Sequence, residues 1–145
     1  MHELSKEFRF DAAHTLQRAL DVEPSRRVHG HSYRAEVAVR GRPEPENGMV
    51  VDLGLLDRTL EAARDALDHR FLDEISGLGP ATLENLSSWI WRRIAPVCPN
   101  LWRVTVRRDS DSSACSFYGR GDDTPVTLDD HDRDRPTIPS RGSPE

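Results

Sequence analysis

The sequence predicts an α+β domain, with two amphipathic helices covering one face of an antiparallel four-stranded sheet. Three observations carry this expectation. The elements run strand, strand, helix, helix, strand, strand. Period-two alternation and helical spacing occupy separate stretches, which segregates strands from helices. The composition, 36% hydrophobic and 31% charged over 145 residues, suits one globular domain rather than a chain too polar to fold.

Glu7 to Ala12 alternates charged and apolar residues and reads as a half-buried strand. Residues 18–28, with Asp21, Glu23, Pro24, Arg26 and Arg27, read as a polar loop. Tyr33 to Arg40 alternates again and stops at Gly41, and Pro43, Pro45 and Asn47-Gly48 supply a turn-rich connection. Asp52 is placed to cap a helix in which Leu53, Leu56, Leu60, Ala63 and Leu67 recur at helical spacing through Asp68. After Gly77-Leu78-Gly79-Pro80, Thr82 caps a second helix carrying Leu86, Trp89, Ile90, Arg93 and Ile94, with Pro96 near its end. Trp102 to Arg108 and Ala114 to Tyr118 read as the third and fourth strands. The folded domain is expected over residues 1–120. Residues 121–145, rich in Asp, Arg, Pro and Ser, are expected to form a disordered acidic tail.

Charge and cysteine content exclude several classes. Of the formal charge of -5, the tail carries -4, with seven acids and three arginines, which leaves about -1 on the rest. A nearly neutral body without a basic stripe is no nucleic-acid binder. No apolar run approaches the roughly 18 residues of a membrane span, and Met1 to Glu7 lacks the pattern of a secretory signal. Two cysteines, Cys98 and Cys115, are too few for a disulfide framework. A cytoplasmic protein with a small-molecule partner is expected.

Chemistry concentrates on histidines. His29-Gly30-His31 enters the second strand, and residues at i and i+2 share a face with Cα atoms about 7 Å apart. His14 closes the first strand, the natural neighbour of the second. Three neutral imidazoles converging there would describe a zinc site with an open fourth position. Taken alone, His29 and His31 read first as partly exposed strand residues, and His14 as a satisfied core histidine. Asp68-His69 at a helix end is either an acid–base pair or a histidine placed against the helix dipole. Glu84 in a first helical turn is by itself ordinary helix-end chemistry.

Several motifs together carry a resemblance. Phe8 to His14, Val28-His29-Gly30-His31-Ser32-Tyr33, Gly48 to Leu53, Leu67-Asp68-His69-Arg70-Phe71-Leu72, and Thr82-Leu83-Glu84-Asn85 before Trp89-Ile90-Trp91 stand in order. Over roughly residues 3–120 the chain resembles the 6-pyruvoyltetrahydropterin synthase family, most nearly its bacterial 6-carboxytetrahydropterin synthase branch of queuosine biosynthesis. The resemblance implies a tunnelling fold that assembles into an oligomeric barrel, a homo-oligomer built from trimers and commonly a hexamer. It implies zinc held by His14, His29 and His31, and proton transfer by Asp68 and His69. It further implies a pterin pocket lined by Thr82 and Glu84 and completed by a neighbouring subunit. The family's usual substrate is 7,8-dihydroneopterin triphosphate.

Two positions depart from the family. Its catalytic cysteine stands four residues before His29, where this chain has Ser25. A variant branch has glutamate three residues before His29, where Arg26 stands, although Glu23 is near. A serine hydroxyl is far less acidic than a thiol and needs a base or metal to act. The glutamate that grips the pterin's guanidine-like edge is replaced by Arg108. Asp109 could take over that role if a β-bulge shifted the register by one. The expectation is therefore a zinc-dependent carbon–oxygen or carbon–carbon lyase with altered specificity, acting on a dihydroneopterin-triphosphate-like or related hydroxy-ketone substrate. Its catalytic residues would be His69, Asp68 and Ser25, and Thr82, Glu84, Arg108 and Asp109 would bind substrate. The alternative is a non-catalytic zinc-binding paralogue that holds a ligand or partner.

Overall fold

A computed structural model describes residues 1–20 and 22–119, so the expected tail at 121–145 lies outside the described residues. Alternation produces two long strands, β1 (His2–His14) and β2 (His29–Gly41), paired antiparallel from His2 opposite Gly41 to His14 opposite His29. The segment between them, read as loop, contains a short helix α1 (Val22–Arg26). A single turn is too short for amphipathic periodicity to show.

Two longer helices follow where expected. α2 (Leu53–Leu67) starts at Asp52, whose carboxylate accepts from the backbone N–H groups of Gly54 at 2.8 Å and Leu55 at 3.4 Å. α3 (Leu83–Ile94) starts at Thr82, whose hydroxyl oxygen accepts from Asn85 N–H at 3.1 Å. Between them lies a two-residue strand β3 (Arg70–Phe71), parallel to Ala12 and Ala13 of β1. With β4 (Leu101–Arg108) and β5 (Ser113–Phe117), the sheet has five strands rather than four, in the order β3-β1-β2-β4-β5. β3 is too short to carry a period, and it forms because the turn after α2 is tied to Asp11.

One face of this sheet is the core side. Phe8, Phe10 and Ala12 of β1, Tyr33, Ala35, Val37 and Val39 of β2, and Val104 and Val106 of β4 are buried there. α2 packs over β1, and α3 over β4 and β5. Leu56, Leu60, Ala63 and Leu67 of α2 and Leu86, Ile90 and Ile94 of α3 complete the core. The opposite face carries ion pairs such as Arg40–Glu3 and Arg103–Glu36. Leu86 is fully buried, so Leu86→Ala is expected to cost about 2–5 kcal/mol in equilibrium urea unfolding through lost contacts and the cavity left behind.

Candidate metal centre and adjoining pocket

Register brings the three histidines together. His14 pairs directly with His29, and His31 lies one pleat period further along β2 on the same face. The rings stand 4.5 to 4.9 Å apart between centroids, each steeply inclined to the next. One ligand atom from each lies within 4.8 Å of the other two.

The outward nitrogens are already engaged. His14 Nδ1 lies 2.9 Å from the Ala81 carbonyl oxygen, and His29 Nδ1 lies 2.7 Å from that of Arg27. Carbonyls only accept, so both Nδ1 atoms carry protons and both Nε2 atoms present lone pairs when the rings are neutral. Those two Nε2 atoms are 2.9 Å apart. Two lone pairs at that separation repel unless a cation, a proton or a metal, lies with them. His31 Nδ1 meets Ser110 Oγ at 3.2 Å, and its Nε2 is buried without a hydrogen-bond partner among the described residues. Neutral imidazoles held by outer hydrogen bonds are the donor set zinc prefers, so these residues fit the metal.

Burial also disfavours protonation. Desolvation depresses the His14 pKa, and it brings that of His31 down from 6.5 to about 4, with the His14 and Arg108 charges acting in the same sense. The sign for stability follows from proton counts. Between about pH 6.5 and 4 the unfolded chain binds more protons at these positions than the folded one. Metal-free protein is therefore expected to hold this contribution above about pH 6.5 and to lose it progressively toward pH 4. Melting temperatures in chelator across that window check it.

Asp68 and His69 sit where α2 gives way to β3. Asp68 Oδ2 lies 3.0 Å from His69 Nδ1, and Oδ1 accepts from Asp11 N–H at 2.9 Å. The Asp11 N–H keeps the Asp68 carboxyl below its usual range. His69 in turn donates its backbone N–H to the Asp11 carbonyl at 2.7 Å. His69 has φ of 56°, a left-handed backbone that costs a non-glycine residue free energy and often marks functional sites. Its ring is 80% exposed and, with His31 and Arg70, lines an open cleft of about 530 Å³. Gly30 lies on that cleft. A Cβ there would approach Ala12 O no closer than 3.6 Å, so packing does not demand glycine, and the missing side chain leaves room in the cleft.

A second pocket of about 360 Å³ is lined by Gln17, Thr82, Glu84, Arg108, Ser113 and Cys115, among others. It adjoins the histidines through Ala81, whose carbonyl orients His14 and which precedes Thr82. Arg108 pairs in register with Tyr33 and is 7% exposed, with Nε 3.1 Å from Asp111 Oδ2. Asp109 is not brought to the pocket. It pairs with Arg34, Oδ1 lying 2.9 Å from Nη2. The irregularity in the β2–β4 pairing falls at Ala38/Val39, so the register remains regular at Arg108 and no bulge turns Asp109 inward. Ser25 is buried in α1, its carbonyl accepting from Leu16 N–H at 2.7 Å, and it lines neither cleft.

Some contributors carry no sequence signal. The Ala81 and Arg27 carbonyls act through backbone placement alone. Ser110 reaches His31 only because the β4–β5 hairpin folds back. Asp73 accepts from the Thr15 hydroxyl, and from Thr15 N–H at 3.0 Å, fixing the chain immediately after His14.

The family model for 6-pyruvoyl tetrahydropterin synthase matches residues 3–120. The chain is 35% identical over 121 residues to 6-carboxy-5,6,7,8-tetrahydropterin synthase of Synechocystis sp., covering 79% of this chain and 92% of that protein. It is 37% identical over 90 residues to dihydroneopterin monophosphate aldolase of Pyrococcus furiosus, covering 62% and 72%. Among solved structures, Caenorhabditis elegans 6-pyruvoyl tetrahydropterin synthase superposes with a TM-score of 0.70 at 25% identity, covering 81% of this chain and 95% of that one. No helix among the described residues is long and apolar enough to cross a membrane.

Proposed function

Because the chain belongs to the 6-pyruvoyl tetrahydropterin synthase family, and family membership supports a lyase acting on pterins, we propose a zinc-dependent lyase of altered specificity. Its substrate would be dihydroneopterin-triphosphate-like or a related hydroxy-ketone. The observation that carries this reading is the convergence of three imidazoles whose outward nitrogens are already engaged.

His14, His29 and His31 would hold the metal, which when bound supplies Lewis-acid polarisation of a substrate hydroxyl or carbonyl. Asp68 beside Nδ1 favours the tautomer that keeps its proton there, which leaves Nε2 free to accept a proton in the open cleft. The anionic Asp68 also stabilises the imidazolium that results. With Ser25 buried in the family's thiol position, a step that needs a thiolate has no donor there. That favours carbon–carbon cleavage of retro-aldol type. His69 removes a hydroxyl proton, the bond to the neighbouring carbon breaks, and the conjugated ring takes up the electron pair and is reprotonated. The aldolase among the relatives adds support to this outcome. Ser25 and Glu23 lie in the segment that would otherwise supply a second base, and Thr82, Glu84 and Arg108 would seat the substrate ring.

We also infer a trimer-based homo-oligomer. β1 is paired on its outer side only at Ala12 and Ala13, and β5 closes the other edge, so both edges can continue into neighbouring copies.

A second reading, a zinc-bearing binder without turnover, draws on Ser25 standing where the thiol would be. One experiment separates the two. Zinc-loaded protein is incubated with 7,8-dihydroneopterin triphosphate and with its monophosphate, and products are followed by mass spectrometry beside His29→Ala. Turnover by the parent alone is the expected result. Silence from the parent on both compounds would leave the binder.

A further inference from the structure

We propose that the pocket between the start of α3 and the β4–β5 hairpin grips its ligand by two adjacent acceptor atoms, through Arg108. The pair is a carboxylate, or an oxo group beside an unprotonated ring nitrogen. This rests on the lyase reading above, since it specifies what the same site accepts.

Arg108 is more than nine-tenths buried and lines the pocket. Guanidinium is a donor-only group with five N–H bonds in a planar fork, and burying it is costly unless those donors are met. Asp111 stands beside Nε, near enough for an ion pair but not aligned for a hydrogen bond. Asp111 is 44% exposed and Nε is buried without a hydrogen-bond partner among the described residues, so the fork is not fully met by the protein's own acceptors. The other polar groups there do not offset this character. The Thr82 hydroxyl is occupied by its acceptor role at the start of α3, and burial raises the Cys115 pKa, keeping it a neutral thiol. Glu84 is exposed, an acceptor at the solvent side that can take a donor from the ligand's opposite end.

A planar fork meets two in-plane acceptors with parallel hydrogen bonds. The same geometry lets arginine grip the O6/N7 edge of guanine. In a pterin, the 4-oxo group and N5 present an equivalent pair, and a carboxylate presents another. The 2-amino edge offers N–H groups, which would face N–H groups and leave both sides buried and unpaired. A ring seated here is therefore turned relative to one gripped by a carboxylate side chain, or carries its own carboxylate.

The test uses fluorescence titration of the zinc-loaded full chain with three pteridines. 2,4-Diamino-6-hydroxymethylpteridine replaces the 4-oxo acceptor of 6-hydroxymethylpterin by an amino donor, and with it removes the proton on N3, while the N5 edge and the 6-substituent stay the same. The parent is expected to prefer the oxo compound by roughly 10- to 100-fold. Arg108→Glu should remove or invert that order. If Arg108→Glu does not fold, Arg108→Gln, which keeps the length and exchanges the fork for an amide, should erase the preference. Pterin-6-carboxylate separates the two sources. Tighter binding than 6-hydroxymethylpterin places the carboxylate on Arg108, and equal binding places the oxo–imine edge there. Equal binding of the first two compounds by the parent, an order unchanged by substitution, or no binding of any pteridine would each overturn the proposal. His29→Ala keeps the two readings apart. It should lose turnover while retaining the binding order, whereas turnover by a parent with no 4-oxo preference sinks only the present inference.

Discussion

His29→Ala is expected to leave a folded protein that no longer retains zinc through dialysis, whereas the parent does. His29 is the informative ligand because it is only half-buried. His14 is fully buried, and removing it would open a cavity and strand the Ala81 carbonyl, confusing loss of metal with loss of fold. The change removes one of three convergent donors. Its cost in affinity should exceed the roughly 10- to 100-fold that losing an outer hydrogen-bond partner typically brings. Two melting experiments sharpen the point. Zinc should raise the melting temperature of the parent and not of the variant, because only a ligand bound to the folded state stabilises it. In chelator, the variant should be no less stable than the parent, since it relieves the 2.9 Å approach of two imidazole nitrogens. Equal zinc retention by both proteins would remove the metal centre from the account.

His69→Ala is expected to lower kcat by roughly 10²- to 10⁴-fold, the usual worth of a positioned acid–base group, with zinc content unchanged. The ring is exposed and touches little besides Asp68, so no core is lost with it. Asp68→Asn should fall between parent and His69→Ala. The amide can still accept from Asp11 N–H, but it cannot stabilise the imidazolium that forms when His69 takes a proton. An Asp68→Asn variant with parental kcat and an unmoved acidic limb of the pH profile would assign the proton transfer elsewhere.

Much of this architecture was legible because periodicity encodes it. Period-two alternation placed His29 and His31 on one face, and capping chemistry at Asp52 and Thr82 located the starts of both long helices. The metal cluster followed from strand neighbours, because His14 ends the strand that pairs with the one His29 begins. Shorter elements were not legible. α1 spans five residues and β3 two, below the length over which any period can be read. Nor does sequence reveal which backbone carbonyl meets a histidine nitrogen, since every residue has one. Arg108 and Asp109 show a subtler limit. Alternation from Trp102 to Arg108 places them on opposite faces, but only the observed pairing rules out a shift between them. That shift occurs at the far end of β2, opposite Leu101 to Arg103.

The backbone of His69 has a consequence for anyone improving this protein by selection. At φ of 56°, glycine would relieve about 1–2 kcal/mol of conformational cost, and the ring's exposure means little packing is forfeited. His69→Gly should therefore melt higher than the parent while losing roughly 10²- to 10⁴-fold in kcat, as His69→Ala does. A library screened for heat resistance alone would enrich it and discard the reaction. Screens on this scaffold need a turnover gate before a temperature gate.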